Sequence, residues 1–258
     1  MIKLFRKIRH QMLKENKTYR YFKYALGEII LVVIGILIAL QLNTWNENRK
    51  AFKEETKILI ALQADFKVSQ KRIKETIIEQ KRGLNYGKIL IEVHERQNNK
   101  EYAFFDSHLD SLDHLIGYGT SWYRTEPVTG AYNALISAGK VDLIKNEKLR
   151  HRLAQFSADL ESGFEDHESA MFLLNDLNNQ ISSFNLKIGS KYFRDYFKLS
   201  PRKKDTMQIS KKFFENDNYF GNLYHKLFME RNRLIRQQSM LNQSNSILKI
   251  IEQELSHD

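Results

Sequence analysis

Few groups in the chain could carry chemistry, and each cluster has a plainer use. Asp106, His108, Asp110, Asp113 and His114 place carboxylates and imidazoles at helical spacing, with Asp110 and His114 four residues apart. Two such groups on one helical face could begin a metal site, but the other ligands would have to come from elsewhere. A solvated helix face is the preferred reading, and Glu165-Asp166-His167-Glu168 is read the same way. No H-E-x-x-H pair, Walker loop, G-x-S-x-G elbow or dinucleotide fingerprint occurs. With no cysteine, thiol chemistry is excluded. No catalytic residue, cofactor or metal ligand is assigned, and the chain is expected not to be an enzyme.

Three other groupings point to binding rather than reaction. Arg202, Lys203, Lys204, Lys211 and Lys212 lie close to Phe213, Phe214, Tyr219 and Phe220. Interleaved bases and rings can grip single-stranded nucleic acid. Solvated lysines on a connection whose aromatics cap a helical bundle are preferred, with lipid headgroups or an acidic partner next. Trp122 and Tyr123 sit in a glycine-flanked loop, as buried anchors or as a ligand contact. Glu28 stands at the head of an apolar run, where a carboxylate costs about 2.5–3.5 kcal/mol at mid-span and less near an end. Local pairing at the interface is preferred for it, over contact with a partner span and over a proton-linked role. Gly27 and Gly35 share its helical face and would permit close helix approach.

The elements that must position these groups are helices. Among 258 residues there are only 2 prolines and 11 glycines, while 42% are hydrophobic, which suits an α-rich fold with a sizeable core. The formal charge of +10 is unevenly placed: residues 1–23 carry +7, residues 24–44 carry −1, and the remaining residues carry +4. Nucleic-acid binding would call for the excess on the large domain, so that partner is not expected.

Behind the basic stub, Ile29 to Leu40 is an unbroken apolar run inside Tyr24 to Leu42. At about 1.5 Å per residue this longer stretch spans roughly 28 Å, close to the roughly 30 Å hydrocarbon core of a bilayer. A cleaved signal peptide would be shorter and would end in small residues, whereas this run exits through Gln41-Leu42-Asn43-Thr44-Trp45. A surface-lying helix would show a polar face within the run, and none is present. The stub itself can lie on an anionic leaflet through Leu4, Phe5, Ile8 and Met12; a mitochondrial presequence would look similar, but the long span directly behind favours an anchor. The bias of Lys and Arg puts the N-terminus in the cytoplasm and the bulk of the chain outside, in a Gram-negative cell the periplasm. Trp45, Tyr21 and Tyr24 suit the two interfacial aromatic belts. The expected organisation is a basic cytoplasmic stub at 1–23, a transmembrane helix at 24–44 and an extracytoplasmic helical domain at 45–258.

The stub Met1-Ile2-Lys3-Leu4-Phe5-Arg6-Lys7-Ile8-Arg9 and the stretch from Tyr24 to Glu47 carry a more specific signal. The Gly27-Glu28 pair opening the span and the exit Gln41-Leu42-Asn43-Thr44-Trp45-Asn46-Glu47 are unusual in a generic anchor. Together they resemble a family of uncharacterised single-pass bacterial membrane proteins, a domain of unknown function. Tyr132 to Ile144, with Leu135, Gly139 and Ile144, is similar to a recurrent segment of that family. The resemblance implies membrane location and a mostly helical outer domain, and it implies no activity.

Along the outer domain, Phe52, Leu59, Leu62, Phe66, Ile73, Ile77 and Leu84 follow three- and four-residue spacing, which predicts a long amphipathic helix. Nothing after Leu42 breaks it from the span; Gly83 and Gly87 are its first soft points, and Glu95 to Lys100 reads as a turn. A shorter helix is expected over 102–116, ending at Gly117 and Gly119, then a loop over 120–127. A further helix should begin with Pro127 in its first turn and close at Gly139. Asp142 or Asn146 can cap the next, which carries Leu149 to Phe184 unless Gly163 interrupts it. Residues 187–218, broken by Gly189 and Pro201, read as a long connection with a helical turn or two.

The last helix, from about Tyr219, repeats Phe220, Leu227, Leu234, Leu241, Leu248 and Leu255 every seven residues. Its companion column, Leu223, Glu230, Gln237, Ser244 and Ile251, is polar in the middle. A two-stranded zipper would want both columns apolar, so an antiparallel bundle with a polar middle layer is expected. The fold class is all-α, an N-terminal transmembrane helix followed by a long-helix, four-helix-bundle-like outer domain. The expected partners are the lipid bilayer and another protein, or a second copy, through the long helices. The expected role is a scaffold or interaction module of the envelope, with a ligand-sensing ectodomain as the alternative.

Overall fold

The computed structural model describes residues 18–163, 166–183, 195–199 and 209–256. Most of the basic stub, Phe164 and Glu165, Phe184 and Gly189, and the segment with Pro201, Arg202, Lys203 and Lys204 lie outside them. Every regular element is helical, with no strand among the described residues. The chain divides into two compact units, Met1–Lys57 and Ile58–Asp258. The first helix, α1 (Thr18–Arg96), contributes residues to both.

Within the first unit α1 holds the apolar run, and this is a helix long and apolar enough to cross a membrane. Its large side chains are outward: Leu31 is 69% exposed, Leu40 58% and Leu42 61%. Polar contacts sit at its two ends, where the Lys23 ammonium lies 4.6 Å from the Tyr19 ring and Asn43 Nδ2 donates to Glu47 Oε1 at 3.1 Å.

In the second unit α1 buries Leu59, Leu62, Phe66, Ser69, Ile73, Ile77, Gln80, Leu90 and Val93, at the three- and four-residue steps expected of one helical face. Gly83 and Gly87 do not soften this helix. A Cβ on Gly87 would lie 2.5 Å from Leu227 Cδ2, and one on Gly119 would lie 3.1 Å from Gly87 Cα. These glycines mark a close crossing of backbones. The turn falls where the sequence placed it: Gln97 takes φ +46°, and the Asn98 side chain accepts from Lys100 N to cap α2 (Asn99–Ser107).

The expected helix over 102–116 is two helices, α2 and α3 (Leu109–Thr120), and Gly117 and Gly119 lie inside α3. The break at His108 carries no glycine or proline signal. Ser107 Oγ donates to Ala103 O and the His108 ring reaches Phe104 O, so side chains occupy the carbonyls that the ending helix frees. The loop that follows is fastened to α1: Val128 N donates to Ser69 Oγ at 2.7 Å and Ala131 N to Asp65 Oδ2 at 2.7 Å. Pro127 belongs to this loop, and α4 (Gly130–Ser137) starts three residues later. Gly139 closes α4 at φ +63°, with Lys140 N donating to Leu135 O and Gly139 N to Ile136 O, a Schellman ending that favours glycine.

Asn146 rather than Asp142 caps α5 (Glu147–Ser162), accepting from Leu149 N at 2.9 Å; Asp142 lies in a short 3-10 turn. Gly163 does interrupt the long pattern, and α6 (His167–Ser183) follows. Then come α7 (Ile209–Phe214) and the 40-residue α8 (Asp217–Ser256). Cross-links run in opposite chain directions along α8, from Asn222 with Asp176 to Gln243 with Asp159 and Asn146 with Glu254. Gln70 with Asn245 and Gly87 beside Leu227 give the same sense against α1. The second unit is therefore an antiparallel helical bundle with shorter helices packed around it.

Two apolar clusters fill it. One joins Leu59, Phe66 and Ile73 of α1 to Leu135, Leu149, Phe156, Met240 and Ile247. The other joins Leu90 and Val93 to Tyr102, Leu112, Leu177, Phe213, Tyr219 and Leu223. Between them, along α8, the buried residues are polar.

Candidate functional site

Helix α8 buries two seven-residue columns. One is Leu223, Glu230, Gln237, Ser244 and Ile251, and the other is Tyr219, Lys226, Arg233, Met240 and Ile247. The seven-residue repeat read from Phe220 to Leu255 lies beside them: Phe220 and Leu248 are buried, while Leu227, Leu234, Leu241 and Leu255 are only partly so. A polar middle layer was legible in Glu230, Gln237 and Ser244. Lys226 and Arg233 were missed, although they too repeat at seven residues between apolar ends.

The layer is built from three directions. From α8, Lys226 and Glu230 are 0% exposed and their charged ends lie 3.6 Å apart. The ammonium of Lys226 also donates to Gly119 O at the end of α3, at 3.1 Å. From α1, the buried Gln80 donates to Tyr123 O at 3.4 Å. From the loop, the Trp122 ring lies 4.0 Å from the Arg233 guanidinium carbon. Arg233 Nη2 donates to Asp166 Oδ1 at 2.8 Å, which ties the layer to the residue just before α6. Asp166 is thus a counter-ion, not part of a freely solvated acidic run.

Burial lowers the Lys226 pKa from its ordinary value, with Glu230 acting in the opposite direction. Burial likewise raises that of Glu230, against the pull of Lys226, Gln80 and Arg233. Both shifts favour the uncharged forms, as expected of an ion pair inside a core. Several atoms of the layer have no hydrogen-bond partner among the described residues: Gln80 Oε1, both Glu230 carboxylate oxygens, Gln237 Oε1, Arg233 Nη1 and Trp122 Nε1.

The other candidate residues are not gathered into this layer. Gly27, Glu28, Gly35 and Trp45 all lie on α1 in the first unit. A Cβ on Gly27 or Gly35 would meet nothing within 4 Å, and Glu28 is half-buried. Trp45 is 62% exposed, with the Arg49 guanidinium 5.7 Å from its ring. Asp106 accepts from Ser210 N at 3.0 Å and so fastens α7. His108 stacks on Phe104 at 4.4 Å, and His114 packs against Tyr118 at 4.7 Å. No group of three or more metal-ligating side chains converges among the described residues. Phe213, Phe214, Tyr219 and Phe220 are at most 3% exposed, so they are core rings unable to stack on bases. His94 closes this aromatic nest, stacked on Phe220 at 4.1 Å and hydrogen-bonded to Phe214 O.

A family model described as a family of unknown function (DUF6090) matches residues 28–160. The chain belongs to this family. The DUF6090 match opens at Glu28, at the head of the apolar run, and extends through most of α5. Gln80, Gly119 and Trp122 therefore fall within the DUF6090 region, whereas the α8 side of the layer falls beyond it. No curated protein and no solved structure matches the chain.

Proposed function

We propose that this chain is a single-pass protein of the bacterial inner membrane, with its N-terminus in the cytoplasm and its helical second unit in the periplasm. That unit serves as a non-enzymatic interaction module for another envelope protein or a second copy. The observation carrying this reading is the run Ile29 to Leu40, whose large apolar side chains are 47% to 69% exposed along a continuous helix. So long an apolar surface is unfavourable in water and favourable in lipid. The +7 charge of residues 1–23 supports the orientation. The buried Lys226 and Glu230 face each other and the buried Arg233 faces the partly exposed Asp166, which supports a structural use for them over catalysis.

Reporter fusions test the foundation. A C-terminal reporter active only after export is expected to be active, and one active only in the cytoplasm is expected to be silent; the reverse pattern overturns the topology. Crosslinking in cells from the second unit should then recover one reproducible protein neighbour. The buried polar layer favours a second reading, a ligand-sensing unit acting through a partner. Thermal stabilisation of the purified chain by a metabolite, without a protein neighbour in cells, would select it.

A further inference from the structure

The polar layer has donors and acceptors left over in one place. Gln80 Oε1, Glu230 Oε1 and Oε2, and Gln237 Oε1 are buried acceptors that receive no hydrogen bond among the described residues, Glu230 Oε2 having only the Lys226 ammonium at 3.6 Å, while Arg233 Nη1 and Trp122 Nε1 are buried donors that make none. Their side chains are closely spaced. Glu230, Arg233 and Gln237 succeed one another along one face of α8 over about 10 Å, Trp122 lies on Arg233, and Gln80 approaches Glu230 from α1. Buried polar atoms are rarely left unpaired, because each costs about 1–3 kcal/mol.

The mixture of donors and acceptors restricts what can complete the layer. A cation would satisfy the oxygens but would meet Lys226 and Arg233 and leave Arg233 Nη1 and Trp122 Nε1 unpaired. An anion would meet Glu230 and leave the oxygens of Gln80 and Gln237 unpaired. The occupant must be neutral overall and must both donate and accept. We propose that the layer between the two apolar clusters is a hydration site, in which bound water bridges Glu230, Gln80 and Gln237 to Arg233 and Trp122. Six open atoms at about three hydrogen bonds per buried water correspond to about two molecules. Such a bridge lets contacts between α1 and α8 exchange partners without exposing either apolar cluster.

Oxygen-17 magnetic relaxation dispersion, which counts long-lived internal waters, tests this on the purified full chain in lipid nanodiscs. The reference is the triple variant Lys226→Met, Glu230→Leu, Gln237→Leu, with helicity checked by circular dichroism. The variant is expected to lose about two long-lived waters relative to the parent chain. If the triple variant does not fold, Gln237→Leu alone is measured, with an expected loss of about one. Equal water counts in parent and folded variant overturn the proposal. So does native mass spectrometry that finds a retained small molecule, since a zwitterionic metabolite has the same mixed hydrogen-bonding chemistry.

Discussion

At the scale of single residues, the unusual feature is a lysine and a glutamate buried against each other in an apolar bundle. Removing one partner leaves an uncompensated charge, whereas removing both relieves two desolvation penalties. Lys226→Met is therefore expected to destabilise the second unit by about 3–5 kcal/mol, and Lys226→Met with Glu230→Leu to be neutral or more stable by about 1–4 kcal/mol. Denaturant unfolding of the full chain in micelles measures both; a double variant as damaged as the single would show that the pair stabilises the fold. Tyr219 gives a pH prediction. Its phenol is fully buried, and burial raises its pKa well above the ordinary value of 10. Below pH 10 neither state ionises there. As pH rises further only the unfolded chain loses that proton, so stability falls by about 1.4 kcal/mol per unit. Tyr219→Phe should flatten that alkaline slope and leave neutral stability unchanged or improved, because the hydroxyl has no partner among the described residues. An unchanged slope would place the alkaline lability elsewhere. The charged pair was half legible from sequence. Glu230 stood out with Gln237 and Ser244 in a column apolar only at its ends, but Lys226 and Arg233 resemble ordinary surface residues until Gly119, Trp122 and Asp166 close over them.

At the scale of elements, glycine position decides what a glycine is for. Gly83 and Gly87 read as weak points of α1 because glycine is a poor helix former, yet both serve contacts with other elements: Gly83 faces Tyr118 O, and Gly87 faces Leu227 and Gly119. Local propensity could not reveal this, since the cost is set by helices far away in sequence. The converse held at His108, where a helix ends through side-chain contacts to its carbonyls without any breaker residue. Two glycines of α3 make a matched test. A Cβ on Gly117 meets nothing within 4 Å, whereas one on Gly119 meets backbone atoms of Gly87 at 3.1 Å. Gly117→Ala is expected to stabilise by up to about 1 kcal/mol through helix propensity. Gly119→Ala should instead destabilise by about 1–3 kcal/mol through overpacking at the crossing. Melting temperatures of the two variants, side by side, check the sign; a stabilising Gly119→Ala would mean that the α1–α3 crossing can open without loss.

At the scale of the whole molecule, the most legible feature was the apolar run, because hydropathy over a dozen residues needs no tertiary partner to be read. The bundle was less legible, since its register depends on which column of α8 faces inward, and a uniform leucine column attracts attention that the mixed columns deserve. The first unit supplies a prediction independent of the bundle. Ile34 and Ile36 lie on different faces of α1 and are 50% and 55% exposed within the run. If the run crosses a bilayer, arginine at either position costs about 2.5–3.5 kcal/mol near mid-span, and the pair costs more than one long side chain can avoid by reaching the interface. Ile34→Arg with Ile36→Arg should then move the chain from the alkali-resistant membrane pellet to the soluble fraction. Ile60→Arg, at a position of the second unit that is 54% exposed, should leave it in the pellet. The control matters because both substitutions place charge at exposed isoleucines of one helix. If the two variants fractionate alike, exposure of apolar side chains along α1 reflects a protein partner and not lipid; if only the first leaves the membrane, the run is the anchor and the second unit is what it presents.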